Sequence, residues 1–271
     1  MTTLQKVIKY LAIAFAIFLI VSIVSGFVGV AGLIGGLFSE KAVTEELKTY
    51  PLSSEIRRLN LEINAADLCV KKGTSFTVES NLKNLKIKEK DGLLTISDNK
   101  KLNGDYNGAV LTIYVPADML FHKVDLTMGA GKLTIENLSA ETLGFELGAG
   151  DVTINTLTAM KSADIDGGAG RITIKGGTLN NLDLDMGVGQ LNLTALLTGA
   201  CEMDLGIGQT NLTLLGTQDD YRLDIEKGIG TVTVDGKKVS DFGSSGNGEN
   251  RIEINGGIGA ICVDFKKTGT K

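Results

Sequence analysis

Apolar and polar residues alternate with a period of two along most of the C-terminal half of the chain. In one stretch Leu143, Phe145 and Leu147 alternate with Gly144 and Glu146, and comparable stretches recur as far as Phe265. This alternation is typical of β-strands that bury one face and expose the other. It predicts an all-β domain.

The alternating stretches are punctuated by a recurring G-x-G element. Its first glycines are 19, 20, 19, 19, 22 and 29 residues apart. A period near 20 residues is typical of a β-solenoid, whose units bury their apolar faces only against their neighbours. Each rung is predicted to contain one strand before a glycine corner and one after it, because glycine permits a sharp turn and close backbone approach. The predicted corner glycines are Gly129, Gly131, Gly148, Gly150, Gly168, Gly170, Gly187, Gly189, Gly206, Gly208, Gly228, Gly230, Gly257 and Gly259.

Two further features concern the interior and the ends of the solenoid. The residue between the two glycines becomes larger along the chain, from Ala130 to Ile258. This predicts that its side chain fills the core at each stacked corner and that the core widens along the axis. The repeat is interrupted between Lys71 and Pro116, where Asp91-Gly92 is a hairpin signal, and a capping sheet is predicted at 71–116. The last rung, near Gly257–Phe265, has only a short tail after it and is predicted to be an open end.

A long uncharged segment precedes the repeat. From Tyr10 to Phe38 no charged residue occurs over 29 positions, more than the roughly 20 that cross a bilayer as a helix. Lys6 and Lys9 precede the segment, so the positive-inside rule places the N-terminus in the cytoplasm and the repeat outside. A cleaved signal peptide is the alternative that stays open. We predict a single-pass protein of the cell membrane.

These features predict four segments of the chain. They are a cytoplasmic tail at 1–10, a transmembrane helix at 11–38, a stalk at 39–54 with a short helix from Ser39 to Tyr50, and a β-solenoid ectodomain at 55–267.

Composition excludes several classes of function. The net charge of −5 disfavours nucleic-acid binding, which needs a basic surface. Cys69, Cys201 and Cys262 are too few and too scattered for a disulfide framework or a zinc motif. With one histidine and no recognisable catalytic motif, the sequence predicts a non-enzymatic protein without a cofactor.

Carboxylates recur at two positions of the repeat, two and four residues before the corner. Both positions point away from the predicted core, so stacking would align the carboxylates on one outer face. Two interpretations stay open: a solvated face, or a surface that binds divalent cations, a cationic peptide, an envelope protein or a cell-wall partner. No firm metal site is predicted. The candidate acidic residues are Glu146, Asp164, Asp166, Asp183, Asp185, Glu202, Asp204, Asp224 and Glu226.

The segment Leu111-Thr112-Ile113-Tyr114-Val115-Pro116, followed by rungs such as Leu147–Ile154, resembles the bacterial β-strand-repeat "putative adhesin" family. Similar members include the Lia-type proteins associated with cell-envelope stress. The resemblance covers about residues 55–266. It implies an extracytoplasmic envelope protein without established enzymatic activity, and it offers no catalytic residues to transfer.

Two functional hypotheses follow from the sequence. The first is a membrane-anchored interaction or adhesin-like module of the bacterial envelope with a connection to envelope stress. The second is a structural solenoid that stacks end to end through its open last rung.

Overall fold

The computed structural model describes residues 44–53, 55–98, 106–226, 228–239 and 245–267. They form sixteen strands of one sheet, with a single turn of 3-10 helix at Gln218–Asp220. The strands are β1 (Thr44–Pro51), β2 (Arg58–Gly73), β3 (Thr77–Leu82), β4 (Lys86–Lys90), β5 (Leu93–Ser97), β6 (Val110–Pro116), β7 (Phe121–Ile135), β8 (Leu138–Ile154), β9 (Leu157–Ile174), β10 (Gly177–Asn180), β11 (Leu182–Thr198), β12 (Ala200–Leu215), β13 (Tyr221–Glu226), β14 (Ile229–Val234), β15 (Lys237–Val239) and β16 (Asn250–Lys266).

The long strands stack in parallel, with equivalent residues of the repeat directly paired. Leu126 of β7 pairs with Phe145 of β8, which pairs with Ile165 of β9. The same register continues from β9 to β11 and from β11 to β12. Because neighbouring strands lie about 4.8 Å apart, each kind of residue forms a column along the axis. The predicted all-β solenoid is confirmed.

Each rung has one more segment than the sequence predicts. In β9, buried and more exposed residues alternate over 157–159, 163–167 and 172–174, and exposed residues separate these stretches at 160–161 and 168–171. The first stretch is a short face of its own, where Leu157 pairs with Gly177 of β10 and Leu138 of β8. The sequence does not reveal this face because each rung contributes only one or two buried residues to it.

The spatial order of the last rungs differs from their order in the sequence. Strand β16 lies between β12 on one side and β13 and β14 on the other. The chain therefore leaves β12, forms the outermost rung with β13 and β14, and returns to insert β16. The prediction that Gly257–Phe265 is an open end is wrong, since this segment is hydrogen-bonded on both sides.

The other end has the same arrangement. Strand β2 pairs in parallel with β7 on one side and with β5 and β6 on the other. Strands β5 and β6 thus form the outermost rung, and β3 and β4 pair with them in antiparallel fashion. Both ends of the stack therefore consist of an inserted rung and an outer rung.

Short charged strands lie against part of each outermost rung. Strand β4 has the sequence Lys-Ile-Lys-Glu-Lys and lies against β5, while β15 begins with two lysines and lies against β14. Strand β1 is charged and ends at Pro51, and it forms the edge beyond β3. Short edge strands that carry lysine or proline discourage pairing with another sheet. The described ends of the solenoid therefore do not favour stacking of one molecule on the next.

Two predictions concern the N-terminal region. The short helix predicted up to Tyr50 is wrong for residues 44–50, which belong to β1 and pair with β3 because Tyr50 and Leu52 pack against the core. The transmembrane helix at 11–38 lies outside the described residues. Within the described part of the chain, no helix has the length and apolar character needed to cross a membrane.

Insertion of β16 can be tested with an engineered disulfide. Cys262 pairs with Asn211 of β12 and Thr233 of β14, whereas stacking in sequence order would place residues 211 and 262 two rungs, or about 9.6 Å, apart. We expect mild oxidation of an Asn211→Cys variant to link it to Cys262, because a disulfide spans Cα atoms about 4.4 to 6.8 Å apart. Peptide mapping by mass spectrometry measures the link. Asn192→Cys, one rung further away, serves as the control that should not link, and failure of the Asn211→Cys variant to form the link would contradict the insertion.

Candidate functional site

The structure brings the nine candidate carboxylates into two adjacent columns on one face. The column nearer the corner, column A, and its neighbour, column B, are both formed by paired residues of successive strands. Strand β16 contributes Glu253 and Asn255 between β12 and β13. In order along the axis, column A contains Glu146, Asp166, Asp185, Asp204, Asn255 and Glu226, and column B contains Asp164, Asp183, Glu202, Glu253 and Asp224.

Positive charge lies at one end of these acidic columns. Arg251 forms ion pairs with Asp224 at 3.2 Å and with Glu253 at 2.9 Å. Asn255 lies inside column A and donates a hydrogen bond of 2.7 Å from Nδ2 to Asp204. Among the residues that the structure describes, Asp224 is the only one of the nine candidates with an ion pair. The middle of the face therefore carries negative charge that the described part of the fold does not neutralise.

Crowding of the carboxylates changes their acidity. Partial burial raises the pKa of Asp164 and of Asp185, and neighbouring carboxylates raise both further, with Asp204 and Asp166 contributing at Asp185. The pKa of Glu202 is raised mainly by the charge of Glu253 in the next rung. All three shifts have the sign expected for like charges held close together.

We expect an Asp185→Asn variant to unfold at a higher temperature than the native protein at pH 7. Because the folded state raises the pKa of Asp185, the fold is more stable when this carboxyl is protonated than when it is charged. That contribution is complete below the unfolded pKa of about 4 and is lost as pH rises through the folded pKa. The gain should stay below about 1 kcal/mol because solvent screens these exposed charges. Thermal unfolding followed by circular dichroism at pH 7 and pH 3, with and without added salt, measures it.

The control for this variant is Asp264→Asn, which removes an exposed charge outside the acidic columns. The gain at Asp185 should disappear at pH 3 and shrink in salt. An equal gain in both variants would show that net charge, and not the columns, limits stability.

An open concavity of about 500 Å³ lies between column A and the glycine corner at the end of the solenoid where β16 is inserted. Asp185, Asp204 and Glu226 line one side of it, and Met186 and Leu205 are apolar residues of its lining. Gly256 occupies the position paired with Leu205. The concavity therefore joins carboxylates to an apolar surface.

The residue between the two corner glycines faces outwards, so the predicted corner inside a widening core is wrong. Ala149 and Ala169 are exposed, Ile207 and Ile258 are partly exposed, and Ile229 is 49% exposed. The spacing of the apolar positions carries a signal of this outward turn. Before each corner, the apolar residues lie an odd number of positions from its first glycine. After the corner, they lie an even number of positions from that same glycine. Alternation must break at the corner, and the backbone there turns the intervening side chain outwards.

The corner glycines themselves stack closely. Gly189 pairs with Gly170 and Gly208, and the second glycine of each corner from Gly131 onwards has positive φ. A Cβ atom on Gly189 would lie 1.8 Å from the carbonyl oxygen of Gly170. Glycine is needed here both for the backbone angle and for the close approach of neighbouring rungs.

Metal binding has no preformed site in the described part of the chain. There, no group of three or more His, Cys, Asp or Glu side chains is arranged to hold a metal ion. Cys201 is buried, and burial raises the pKa of its thiol, while Cys69 and Cys262 are partly exposed and unpaired with one another.

Comparison with solved structures finds similarity to proteins from several bacteria. A "putative cell adhesion protein" from Clostridium sporogenes shares 16% identity over 82% of this chain and 99% of its own, with a TM-score of 0.40. A "putative adhesin" from Bacteroides fragilis shares 14% over 82% and 99%, with a TM-score of 0.47. A "putative lipid binding protein" from Parabacteroides distasonis shares 12% over 86% and 98%, with a TM-score of 0.37.

Sequence comparison identifies the family. No curated protein matches the sequence. The model of the Toastrack DUF4097 domain matches residues 77–263, which is more than half of the chain. The predicted resemblance to the "putative adhesin" family is thereby confirmed, whereas the narrower similarity to Lia-type proteins stays a prediction. This chain belongs to the Toastrack DUF4097 family.

Proposed function

We propose that this protein is a non-enzymatic interaction module of the bacterial envelope, anchored in the cell membrane by an N-terminal helix at 11–38, and that its acidic columns bind a cationic partner outside the cell. The observation that carries the proposal is the row of carboxylates in the middle of columns A and B, which no described cation neutralises.

Rigidity of the solenoid supports this role. Column A is built on strands paired through continuous backbone hydrogen bonds. The backbones of Asp166, Asp185 and Asp204 are therefore held with about 4.8 Å between one residue and the next. The rungs cannot separate to relieve the repulsion between these carboxylates, and a partner with several positive charges would relieve it at several rungs at once. Because no described cluster is arranged to coordinate a metal ion, the geometry favours a polycationic protein or peptide over a single divalent cation.

The proposed location combines the membrane segment with the family. The uncharged run from Tyr10 to Phe38, preceded by Lys6 and Lys9, supports an uncleaved anchor with a cytoplasmic N-terminus. Resemblance to the Lia-type proteins supports a connection with envelope stress. End-to-end assembly is the weaker alternative, because short charged strands pair with part of each described end of the stack.

A matched pair of triple variants tests the proposed function. In the column variant, Asp166, Asp185 and Asp204 are changed to Asn. In the control variant, Asp67, Asp118 and Asp264, which are exposed outside the columns, are changed to Asn. Binding of a fluorescent oligolysine peptide to the full-length chain in zwitterionic nanodiscs is measured by anisotropy, with empty nanodiscs as the reference.

We expect the column variant to bind at least about tenfold more weakly, a difference of about 1.4 kcal/mol, and the control variant to bind like the native protein. Both variants remove the same number of charges. Equal weakening in the two would mean that the peptide responds only to net charge, and the proposed site would be rejected.

A further inference from the structure

Four branched aliphatic side chains form an apolar ridge on the outside of the glycine corner. Val188 pairs with Ile207, Ile207 with Ile258, and Ile258 with Ile229. We call these four residues the corner ridge. Further along the same column the residues are smaller, beginning with Ala169 and Ala149. The apolar surface is therefore confined to the end of the solenoid where β16 is inserted.

The corner ridge is not part of the hydrophobic core. Its four members are absent from both the buried core and the partly buried side chains that pack against it, and Ile229 is 49% exposed. Val188, Ile207 and Ile258 are partly exposed. Contiguous apolar surface outside the core is typical of interaction surfaces.

Charge on the two sides of the ridge is unequal. Column A, with Asp185, Asp204 and Glu226, follows one side, and the concavity lies between it and the corner. On the other side, paired strands place Gln190, Gln209, Ala260 and Thr231. The ridge is thus acidic on one flank, whereas the four residues of the other flank carry no charge and Gln190 there accepts a hydrogen bond of 3.1 Å from Arg171 of the next rung.

This asymmetry limits what can bind. A second copy with its ridge antiparallel to the first would bring two acidic columns together, a copy with its ridge parallel would leave both columns without positive charge opposite them, and an anionic lipid surface would meet them with like charge. Like charges at such distances repel. A partner that is apolar in the middle and basic on one flank satisfies both features of the surface.

We propose that the corner ridge and column A dock a basic amphipathic α-helix of a partner polypeptide, with its apolar seam on the ridge and its Lys or Arg residues over the carboxylates. The inference rests on the proposed function and specifies the partner. Rungs repeat at about 4.8 Å and helical turns at about 5.4 Å, so successive turns meet successive rungs. Four rungs span about 14 Å, which is the length of about ten helical residues.

The concavity gives the basic flank a place to bind. Lys and Arg place their aliphatic stems along apolar surface and keep the charged end at the rim. Here the stem would lie beside Leu205 and Met186, and the charged end would reach Asp185 and Asp204. The same side chain would therefore make apolar and ionic contacts.

Two synthetic peptides and two variants test the inference. The seam peptide is a fluorescent fourteen-residue helix with leucines in one seam and lysines on one flank. The scrambled peptide has the same composition without the seam. Binding of each is measured by anisotropy to the full-length chain in zwitterionic nanodiscs, with empty nanodiscs as the reference. The ridge variant carries Ile207→Thr and Ile258→Thr, which leave charge and β-branching unchanged, and the column variant is the triple Asn variant described above.

We expect the ridge variant to bind the seam peptide at least about tenfold more weakly and the scrambled peptide as the native protein does. The column variant should bind both peptides more weakly. Circular dichroism confirms that each variant is folded. A double variant, Ala130→Thr with Ala149→Thr, introduces two threonines at corner positions of the same column away from the ridge and serves as the control for the threonine substitutions.

The outcomes separate the two proposals. If the ridge variant binds the seam peptide normally while the column variant is weakened, the helix-docking inference is overturned and the proposed cationic partner is retained. If the column variant binds both peptides as well as the native protein does, the proposed function fails and the inference fails with it.

Discussion

A Gly208→Ala variant is expected to lose about 4 kcal/mol or more of its free energy of unfolding, enough to abolish a stable fold in many proteins. Gly208 has a φ of +151°, and a Cβ atom there would lie 1.7 Å from the carbonyl oxygen of Gly189 in the neighbouring rung. The contact is with backbone, so no side chain can rotate away to relieve it. Relief would require the stacked corners to separate and the parallel hydrogen bonds beside them to lengthen.

Urea unfolding followed by circular dichroism measures this loss, and Gly176→Ala is the matched control. Gly176 lies in a turn of the same repeat, its φ is outside the positive region, and an added Cβ would meet only the carbonyl oxygen of Asn155 at 3.5 Å. We expect that variant to differ from the native protein by less than about 1 kcal/mol. Similar stability of the two variants would show that the corners do not need glycine.

A Phe145→Ala variant is expected to lose about 3 to 5 kcal/mol. Phe145 is 1% exposed and is paired with Leu126 and Ile165 in the adjoining rungs. Removing the ring takes apolar area out of the core and leaves a cavity that rungs held by continuous hydrogen bonds cannot close. The same unfolding experiment measures the effect.

Met160→Ala is the control for the core variant. Met160 lies in the bend of β9 and is 56% exposed, so its truncation should change stability by no more than about 0.5 kcal/mol. A loss at Phe145 as small as that at Met160 would contradict the buried column of large residues in the middle of the solenoid.

Much of the fold was predictable because the repeat is regular. Apolar residues at fixed distances from each G-x-G element placed Leu126, Phe145 and Ile165 in one column, and the structure pairs them. The acidic columns follow from the same argument, since residues that alternate with core positions must point outwards. Local periodicity was sufficient to predict both the core column and the acidic columns. When strands pair in register, residues at equivalent positions of the repeat lie side by side.

The order of the last rungs was not predictable in the same way. Strands β12, β14 and β16 carry nearly equivalent apolar patterns, so exchanging two rungs buries almost the same side chains. The one sign of a different order was the longer spacing of 22 and 29 residues between the last corner glycines. These spacings leave enough chain for a segment to leave the stack and return to it. Local periodicity does not show whether that excursion ends in a protruding loop or in an outer rung.

The sequence by itself determined that this protein is a β-solenoid with glycine corners and one acidic face, because period, spacing and side-chain alternation are local properties of the chain. Only the tertiary structure decided that β16 is inserted between β12 and β14, and that Val188, Ile207, Ile258 and Ile229 face outwards as a ridge beside the carboxylates. The first depends on how distant rungs meet and leaves no distinct mark in the alternation of apolar and polar residues. The second depends on how the backbone turns at positive φ, and the alternation shows only that it breaks at the corner.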